Sequence, residues 1–199
     1  MVLIIYAHPH KNGHCGHMLE QTISQLNSRD RKYDLIDLYA DRFDPVMHEQ
    51  EHYTSGGKDI SATVKHYQSL LKKHDKWILI YPVWWNNTPA ILKGFFDKVF
   101  TSKYAFVYKK FPLIPFLVPI GLFKNKRVVI FSASGAKWWQ ALLFSRMGFR
   151  TNIVFDIMLF CGVRAKTIPL FDCVKKFEIT ACEHKISRNV SRGLRWLKV

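Results

Sequence analysis

Residues able to do chemistry gather in three stretches of this sequence. Trp84-Trp85-Asn86-Asn87 sets two adjacent indoles beside two amides. Such a group suits a flat aromatic ligand with a polar rim, because indoles offer faces for stacking and amides offer donors and acceptors. The plainer use is a pair of indoles capping a core, since Trp is largely buried on average. The second stretch holds His8, His10, His14 and His17, with Cys15 among them. His14 and His17 stand three apart, a spacing at which two helix-borne imidazoles share a zinc ion. No carboxylate or cysteine set completes that shell, so no metal site is read here. The third stretch, Ser132-Ala-Ser-Gly-Ala136, carries small side chains that let a planar ring approach the backbone.

Each stretch follows an apolar run. Trp77-Ile-Leu-Ile-Tyr81 reads as a buried strand, and Pro82 removes a backbone donor and is expected to end its ladder. Thr88 is placed as an N-cap with Pro89 at the first helical position. Ile91, Leu92, Phe95, Phe96 and Val99 then recur at helical spacing. Val2–Ala7 is a first strand, His8–Cys15 a polar turn containing Gly13, and His14–Leu26 a helix. The N–H groups at that helix start, around His14 and Cys15, make a ready phosphate site. There is no GxGxxG and no Walker motif.

Tyr33–Leu38, Lys126–Ser132 and Arg164–Leu170 read as further strands. Ile60–Lys73, Ile153–Phe160 and Val174–Leu197 read as helices, the last turning Ile179, Cys182, Ile186, Val190, Leu194 and Leu197 to the core. Asp37–Met47 leaves the sheet edge with Phe43 and Met47 packing down, and Glu49–Lys58 is a loop. Five strands alternating with helices predict one α/β domain over residues 1–199, a parallel sheet with helices on both faces. In open sheets of this kind, ligands bind beyond the carboxyl ends of the strands.

The chain has 199 residues, 48% of them hydrophobic, and a net charge of +15. That length buries a full core, and no repeat or low-complexity tract interrupts it. Residues 1–100 carry 12 Lys/Arg and 11 Asp/Glu, whereas residues 101–199 carry 18 and 4. A half so basic attracts anions: nucleotide phosphates, an acidic membrane or nucleic acid. A solvated basic surface is the plain account. Met1–Tyr6 lacks a positive region and a cleavage site, and is expected to be a strand and not a signal peptide. Phe111–Phe123 is apolar but contains Pro112, Pro115 and Pro119 and is too short to span a bilayer. Cys15, Cys161, Cys173 and Cys182 form no CxxC pair, which fits reduced thiols and a cytoplasmic setting.

Pro82-Val-Trp-Trp-Asn-Asn-Thr-Pro-Ala-Ile-Leu-Lys-Gly-Phe-Phe-Asp97 resembles the flavin-loop signature of the flavodoxin-like NAD(P)H:quinone oxidoreductases, the DT-diaphorase type. Ala7-His8-Pro9 matches the start of that family's flavin phosphate loop, while Cys15 departs from its usual Asn. Asp37-Leu-Tyr-Ala40 and Phe160-Cys-Gly-Val163 resemble two further motifs. The resemblance implies a flavodoxin-like five-stranded sheet, FMN or FAD as cofactor, NAD(P)H as co-substrate, and reduction of quinones or similar acceptors. It implies flavin contacts at His8, His14, Cys15, Pro82, Val83, Trp84, Trp85, Asn86, Ser134, Gly135 and Ala136. Trp85, Phe106, Tyr108 and Trp138 would shape the acceptor pocket, and a homodimer with no nucleic-acid partner is implied. The family's catalytic Tyr and His after the third loop have no counterpart, since residues 109–183 contain neither. No catalytic side chain is therefore assigned. An alternative of another class is an accessory flavoprotein subunit, like the quinone reductases on potassium-efflux channels. The basic half and the apolar insert would then contact an acidic membrane or a membrane protein.

Overall fold

The computed structural model describes residues 1–52, 60–113, 116–173 and 179–199, with the backbone alone at 179–181. Among the described residues seven strands are present: β1 (Val2–Tyr6), β2 (Tyr33–Asp37), β3 (Lys76–Pro82), β4 (Phe106–Lys109), β5 (Val118–Gly121), β6 (Arg127–Ala133) and β7 (Arg164–Leu170). Five of them form one parallel sheet in the order β2-β1-β3-β6-β7. This is the flavodoxin-like α/β fold that the resemblance implied. The chain moves outward from β1 to β2 and then returns to β1's other side with β3. The order therefore reverses between β1 and β3, where open sheets place a ligand crevice.

Alternation sorts the strand residues into two cores. Leu3, Ile5, Trp77, Leu79, Tyr81, Val128 and Ile130 face α2 (Ala62–Lys73), α3 (Ala90–Val99) and a π-helix (Asn152–Leu159). Val2, Ile4, Tyr6, Ile78, Ile80, Val129 and Phe131 face α1 (His14–Asn27) and α6 (Ile179–Leu197). β3 is apolar on both faces because both faces are covered. Among the described residues no helix is long and apolar enough to cross a membrane.

Several expected boundaries move. Pro82 does not end the ladder: it lies inside β3 opposite Ala133, and the Val83 N–H continues the pairing to the Ala133 carbonyl at 2.7 Å. By alternation the donor that Pro82 lacks faces β1, which has already stopped at Tyr6. The cap of α3 is Pro89, not Thr88, and its carbonyl accepts from the N–H groups of Leu92 and Lys93. α2 starts at Ala62, because the Ser61 hydroxyl accepts from the Val64 N–H and leaves Ile60 outside. Phe43 is buried as expected, whereas Met47 is exposed. Glu49–Glu51 forms a short 3₁₀ turn, and the rest of the expected loop, from 53, lies outside the described residues.

Part of the apolar insert forms one strand of a ribbon. Val118–Gly121 pairs antiparallel with Phe106–Lys109, Pro119 being tolerated because the ribbon has only two strands. Phe123 enters the core edge-on to Trp77, Phe100 and Tyr104, with ring centroids 5.3–5.6 Å apart. Two short helices not anticipated from the sequence, α4 (Trp138–Ser145) and α5 (Gly148–Thr151), precede the π-helix that replaces the expected α-helix. The expected start of the last helix at 174 and the packing of Ile179 lie outside the described residues; Ile186, Val190, Leu194 and Leu197 are buried.

The segment after β2 is pinned to α3 in two ways. A Cβ added at Gly94 would strike the backbone of Pro45, so only glycine permits this approach. Buried Lys98 reaches Glu51 at 2.9 Å, Asp44 at 3.5 Å and the Val46 carbonyl at 2.9 Å. The Asp44 carboxyl is held down to about 2, first by the Val46 N–H and then by His48 and Lys98. Burial works to raise Glu51, but the His48 N–H and Lys98 outweigh it and hold that carboxyl below its ordinary value.

Gly94→Ala is expected to destabilise by about 1–3 kcal/mol through overpacking, seen as a fall in Tm of roughly 2–4 °C per kcal/mol. An unchanged Tm would show that the Pro45 segment yields freely. Depressed carboxyl pKa values give stability that is full above the unfolded carboxylate range of about 4 and is lost as pH falls through the folded values. Lys98→Met should therefore lower stability at pH 7 and flatten the loss between pH 7 and pH 3. Denaturant melts at both pH values check this; an acid-side loss equal to the parent's would remove Lys98 from the account.

Candidate functional site

β1, β3 and β6 are adjacent in the sheet, so the three stretches singled out by chemistry emerge side by side at its carboxyl edge. The first loop closes over α1. Lys11 backbone lies against Gly16 so tightly that any Cβ there would collide with it. Lys11 also pairs with Asp37 at 3.1 Å, tying the loop to the end of β2. Gly13 caps α1 without a side-chain acceptor, so the first-turn N–H groups of His14, Cys15 and Gly16 receive no cap from it. His8 Nδ1 contacts the His10 carbonyl at 2.6 Å, and the Tyr6 hydroxyl donates to the same oxygen at 3.0 Å. Burial lowers the pKa of His8 and of His14, which favours neutral rings.

The second loop is a two-residue turn. Trp84 and Asn87 exchange both backbone hydrogen bonds, at 2.9 and 3.1 Å. Trp85 and Asn86 occupy its centre with φ of 48° and 57°, the signature of a type I′ turn. Asn accepts this conformation readily, but a bulky indole does not. Trp85 is fully exposed at the tip (101%), whereas Trp84 leans back on His8 with ring centroids 6.2 Å apart.

The third loop is fastened from beneath. Ser134 N–H donates to the Leu170 carbonyl, and Ser134 and Ala136 carbonyls accept from the Cys173 and Asp172 N–H groups. The Ser134 hydroxyl is taken by the Ala136 N–H at 3.3 Å. Between the second and third loops lies a cavity of about 390 Å³, lined by Val83, Asn86, Ser134, Gly135, Ala136, Gln140, Ala141, Phe144 and Ser145. Asn86 Nδ2 donates to the Ser145 carbonyl at 3.2 Å, closing α4 against the turn. One pair deeper on the same strand face, Tyr81 and Ser132 stand opposite each other. Their hydroxyls are buried with no hydrogen-bond partner among the described residues.

The structure thus gathers Val83, Asn86 and Ser134–Ala136 at one cavity. Pro82 is buried at the end of β3 and does not line the cavity. The Cys15 thiol points into the core, where burial raises its pKa to about 12, so only its N–H remains for an anion. His8 and His14 belong to the neighbouring first loop and the start of α1, and Trp84, at the foot of the second loop, leans on His8 without lining the cavity. Phe106 and Tyr108 stand on the β4–β5 ribbon, Phe106 against Phe160, and neither lines the cavity; nor does Trp138. Gln140, Ala141, Phe144 and Ser145 were missed by sequence reasoning. The signal was present as Trp138–Phe144, too continuously apolar to show a helical period. Among the described residues no three His, Cys, Asp or Glu converge as metal ligands, and His17 pairs instead with Glu20 at 3.4 Å. A larger cavity of about 560 Å³ lies along Asp41–Glu51, where Lys98 pairs with Glu51 and Asp44, and the Tyr67 hydroxyl donates to Asp41.

Known proteins resemble this chain over most of its length. An uncharacterised NAD(P)H oxidoreductase of Haemophilus influenzae is 28% identical over 171 residues, covering 85% of this chain and 82% of the relative. NAD(P)H dehydrogenase (quinone) 1 of Cavia porcellus is 28% identical over 80% of this chain, which spans 64% of that longer protein. The crystal structure of Smu.1420 from Streptococcus mutans superposes with a TM-score of 0.81 at 28% identity, covering 96% of this chain and 98% of that one. The NAD(P)H:quinone oxidoreductase of Methanothermobacter marburgensis shares the fold, with a TM-score of 0.80 at 24% identity over 100% and 96% of the two chains. The family model described as a flavodoxin-like fold matches residues 1–180, and the chain belongs to that family.

Proposed function

We propose that the chain, working as one domain over residues 1–199, is a flavin-dependent NAD(P)H oxidoreductase that reduces quinones or similar acceptors. The observation that carries this reading is the cavity between the β3 and β6 loops at the carboxyl edge of the sheet, next to the β1–β3 position where strand order reverses. A flat ring suits its walls: Val83, Gly135 and Ala136 offer backbone and small side chains, and Asn86 offers an amide. The uncapped N–H groups at the start of α1 suit a phosphate. Two relatives bear names of the same chemistry, an NAD(P)H oxidoreductase and a quinone dehydrogenase. FMN and FAD fit these observations equally.

The chemistry such a cofactor supplies is hydride exchange at its N5. The chain contributes placement. Val83–Asn86 and Ser134–Ala136 hold the ring edge, while Trp85 at the turn tip narrows the mouth. Phe144 gives an apolar wall for an acceptor ring. With no Tyr or His from 109 to 183, a Tyr–His proton relay after the third loop has no counterpart in this chain. Phe106, Tyr108 and Trp138 lie off this cavity in one chain. They serve it from a second copy if the chain forms the homodimer that the resemblance implies.

The purified protein should be yellow or should take up one flavin per chain. FMN or FAD at 100 times its dissociation constant should add about 2.7 kcal/mol of stability. Absorption spectra and thermal melts with each flavin test this, and no response to either would sink the reading. Trp85→Ala should weaken flavin binding or turnover tenfold or more. Trp77→Phe should act only on stability, because Trp77 is wholly buried and donates to the His74 carbonyl. Flavin titration by fluorescence separates the two variants; equal small effects on binding would return Trp85 to a packing role.

A further inference from the structure

Beneath the cavity lie two hydroxyls that nothing in the fold uses. Val83 and Ser134 line the cavity, and alternation places Tyr81 and Ser132 on the same strand face, one pair deeper. Along that face β3 presents Trp77, Leu79 and Tyr81, and β6 presents Val128, Ile130, Ser132 and then Ser134. Hydroxyls enter only at the levels next to the cavity. Tyr81 is 0% exposed and Ser132 1%. Neither hydroxyl has a hydrogen-bond partner among the described residues. The Ser134 hydroxyl accepts from the Ala136 N–H at 3.3 Å, and among the described residues its own proton has no acceptor.

Packing does not account for them. A phenyl ring would fill the Tyr81 position as well as a phenol does, and a methyl group would nearly fill that of Ser132. A buried hydroxyl left unpaired forfeits the bonds it made to water and gains none. Burial, with a smaller push from Cys15, raises the Tyr81 pKa, so the phenol keeps its proton and stays a donor. The cavity above is the nearest place for an acceptor. Successive pairs on one strand face stand about 6.6 Å apart. That is too far for a direct bond between levels and within the reach of one bridging water. A water there finds the several polar partners that a buried site requires.

We propose that Tyr81 and Ser132 form a hydrogen-bonding floor under the flavin ring, joined to its polar edge through one water that the two hydroxyls and Ser134 hold. The inference rests on the proposed function, because the ring is the flavin's. Tyr81 and Ser132 are positioning residues: they hold the water, and the water meets the ring. A donor at this place counts for more once reduction has added negative charge to the ring, since hydrogen bonds to charged acceptors are the stronger ones. The floor therefore favours the reduced cofactor over the oxidised one.

Tyr81→Phe and Ser132→Ala test this in flavin-free and flavin-loaded protein. Without flavin, both variants should melt at the parent's temperature or above it, because each removes a buried hydroxyl that the fold does not pair. Titration with FMN and with FAD, read by tryptophan fluorescence, should show affinity lowered about tenfold in each variant, the worth of one net hydrogen bond. The midpoint potential of the bound flavin should fall too; a tenfold loss of preference for the reduced ring is about 30 mV for a two-electron couple. The double variant should lose little more than either single one, because both hydroxyls act through the same water. The inference falls if both variants bind flavin and set its potential as the parent does. It falls also if they melt well below the parent without flavin, which would make the hydroxyls part of the fold's own bonding. A parent that takes up neither flavin overturns the proposed function and the floor with it. A parent that takes up flavin beside unchanged variants overturns the floor alone.

Discussion

One hydrogen bond, from the Val83 N–H to the Ala133 carbonyl at 2.7 Å, sets the geometry of the site. It is the last rung between β3 and β6, so both loops leave the sheet from a common base. Pro82 makes that rung one-sided. Its ring removes the donor toward β1 exactly where β1 has stopped, while Val83 keeps the donor toward β6. The β3 loop is thereby released from the first loop and held to the third. A cavity opens between the second and third loops, and the histidine loop flanks it through the His8–Trp84 contact.

Much of this was legible in the sequence because it rests on local rules. Continuous apolar runs at Val2–Tyr6 and Trp77–Tyr81 mark strands covered on both faces, and the helical period of Ile91–Val99 places α3 correctly. Errors arose where tertiary contacts outweigh local preference. Thr88 is the better cap by residue type, yet the backbone arrives so that the Pro89 carbonyl takes the first helical bonds. No strand is read in proline-punctuated Phe111–Phe123, yet Pro119 sits in a two-stranded ribbon that never asks for its missing donor. α4 escaped notice because periodicity reports the contrast between a buried face and a wet one, and its exposed face is the apolar one.

Net charge is likewise an imperfect guide to surface charge. Lys126 belongs to the basic half, but it is buried and donates to the Lys72 and His74 carbonyls at 3.1 and 2.8 Å while pairing with Asp75. Its ammonium also lies over the Trp77 ring. Such a lysine closes the amino end of the sheet and adds nothing to attraction at the carboxyl edge. The basic character that matters there comes from exposed Lys137, Arg146 and Arg150, whose carboxylate neighbours in sequence are distant.

Four of the nine non-glycine residues with positive φ among the described residues, Trp85, Asn86, Arg146 and Met147, flank the cavity. The easy turn in Trp84-Trp85-Asn86-Asn87 would centre on the two Asn residues, both tolerant of positive φ. The chain centres it one residue earlier, forcing an indole into the left-handed region and out into solvent. Arg146 and Met147, at the end of α4, hold φ of 47° and 52° without being glycine. These strained residues meet through the Asn86–Ser145 hydrogen bond. Each such residue costs on the order of 1–3 kcal/mol, and nothing in core packing needs them. Strain of this size, gathered on the two sides of one cavity, is what a clamp for a ligand requires: it lifts Trp85 above the mouth and turns α4 across it.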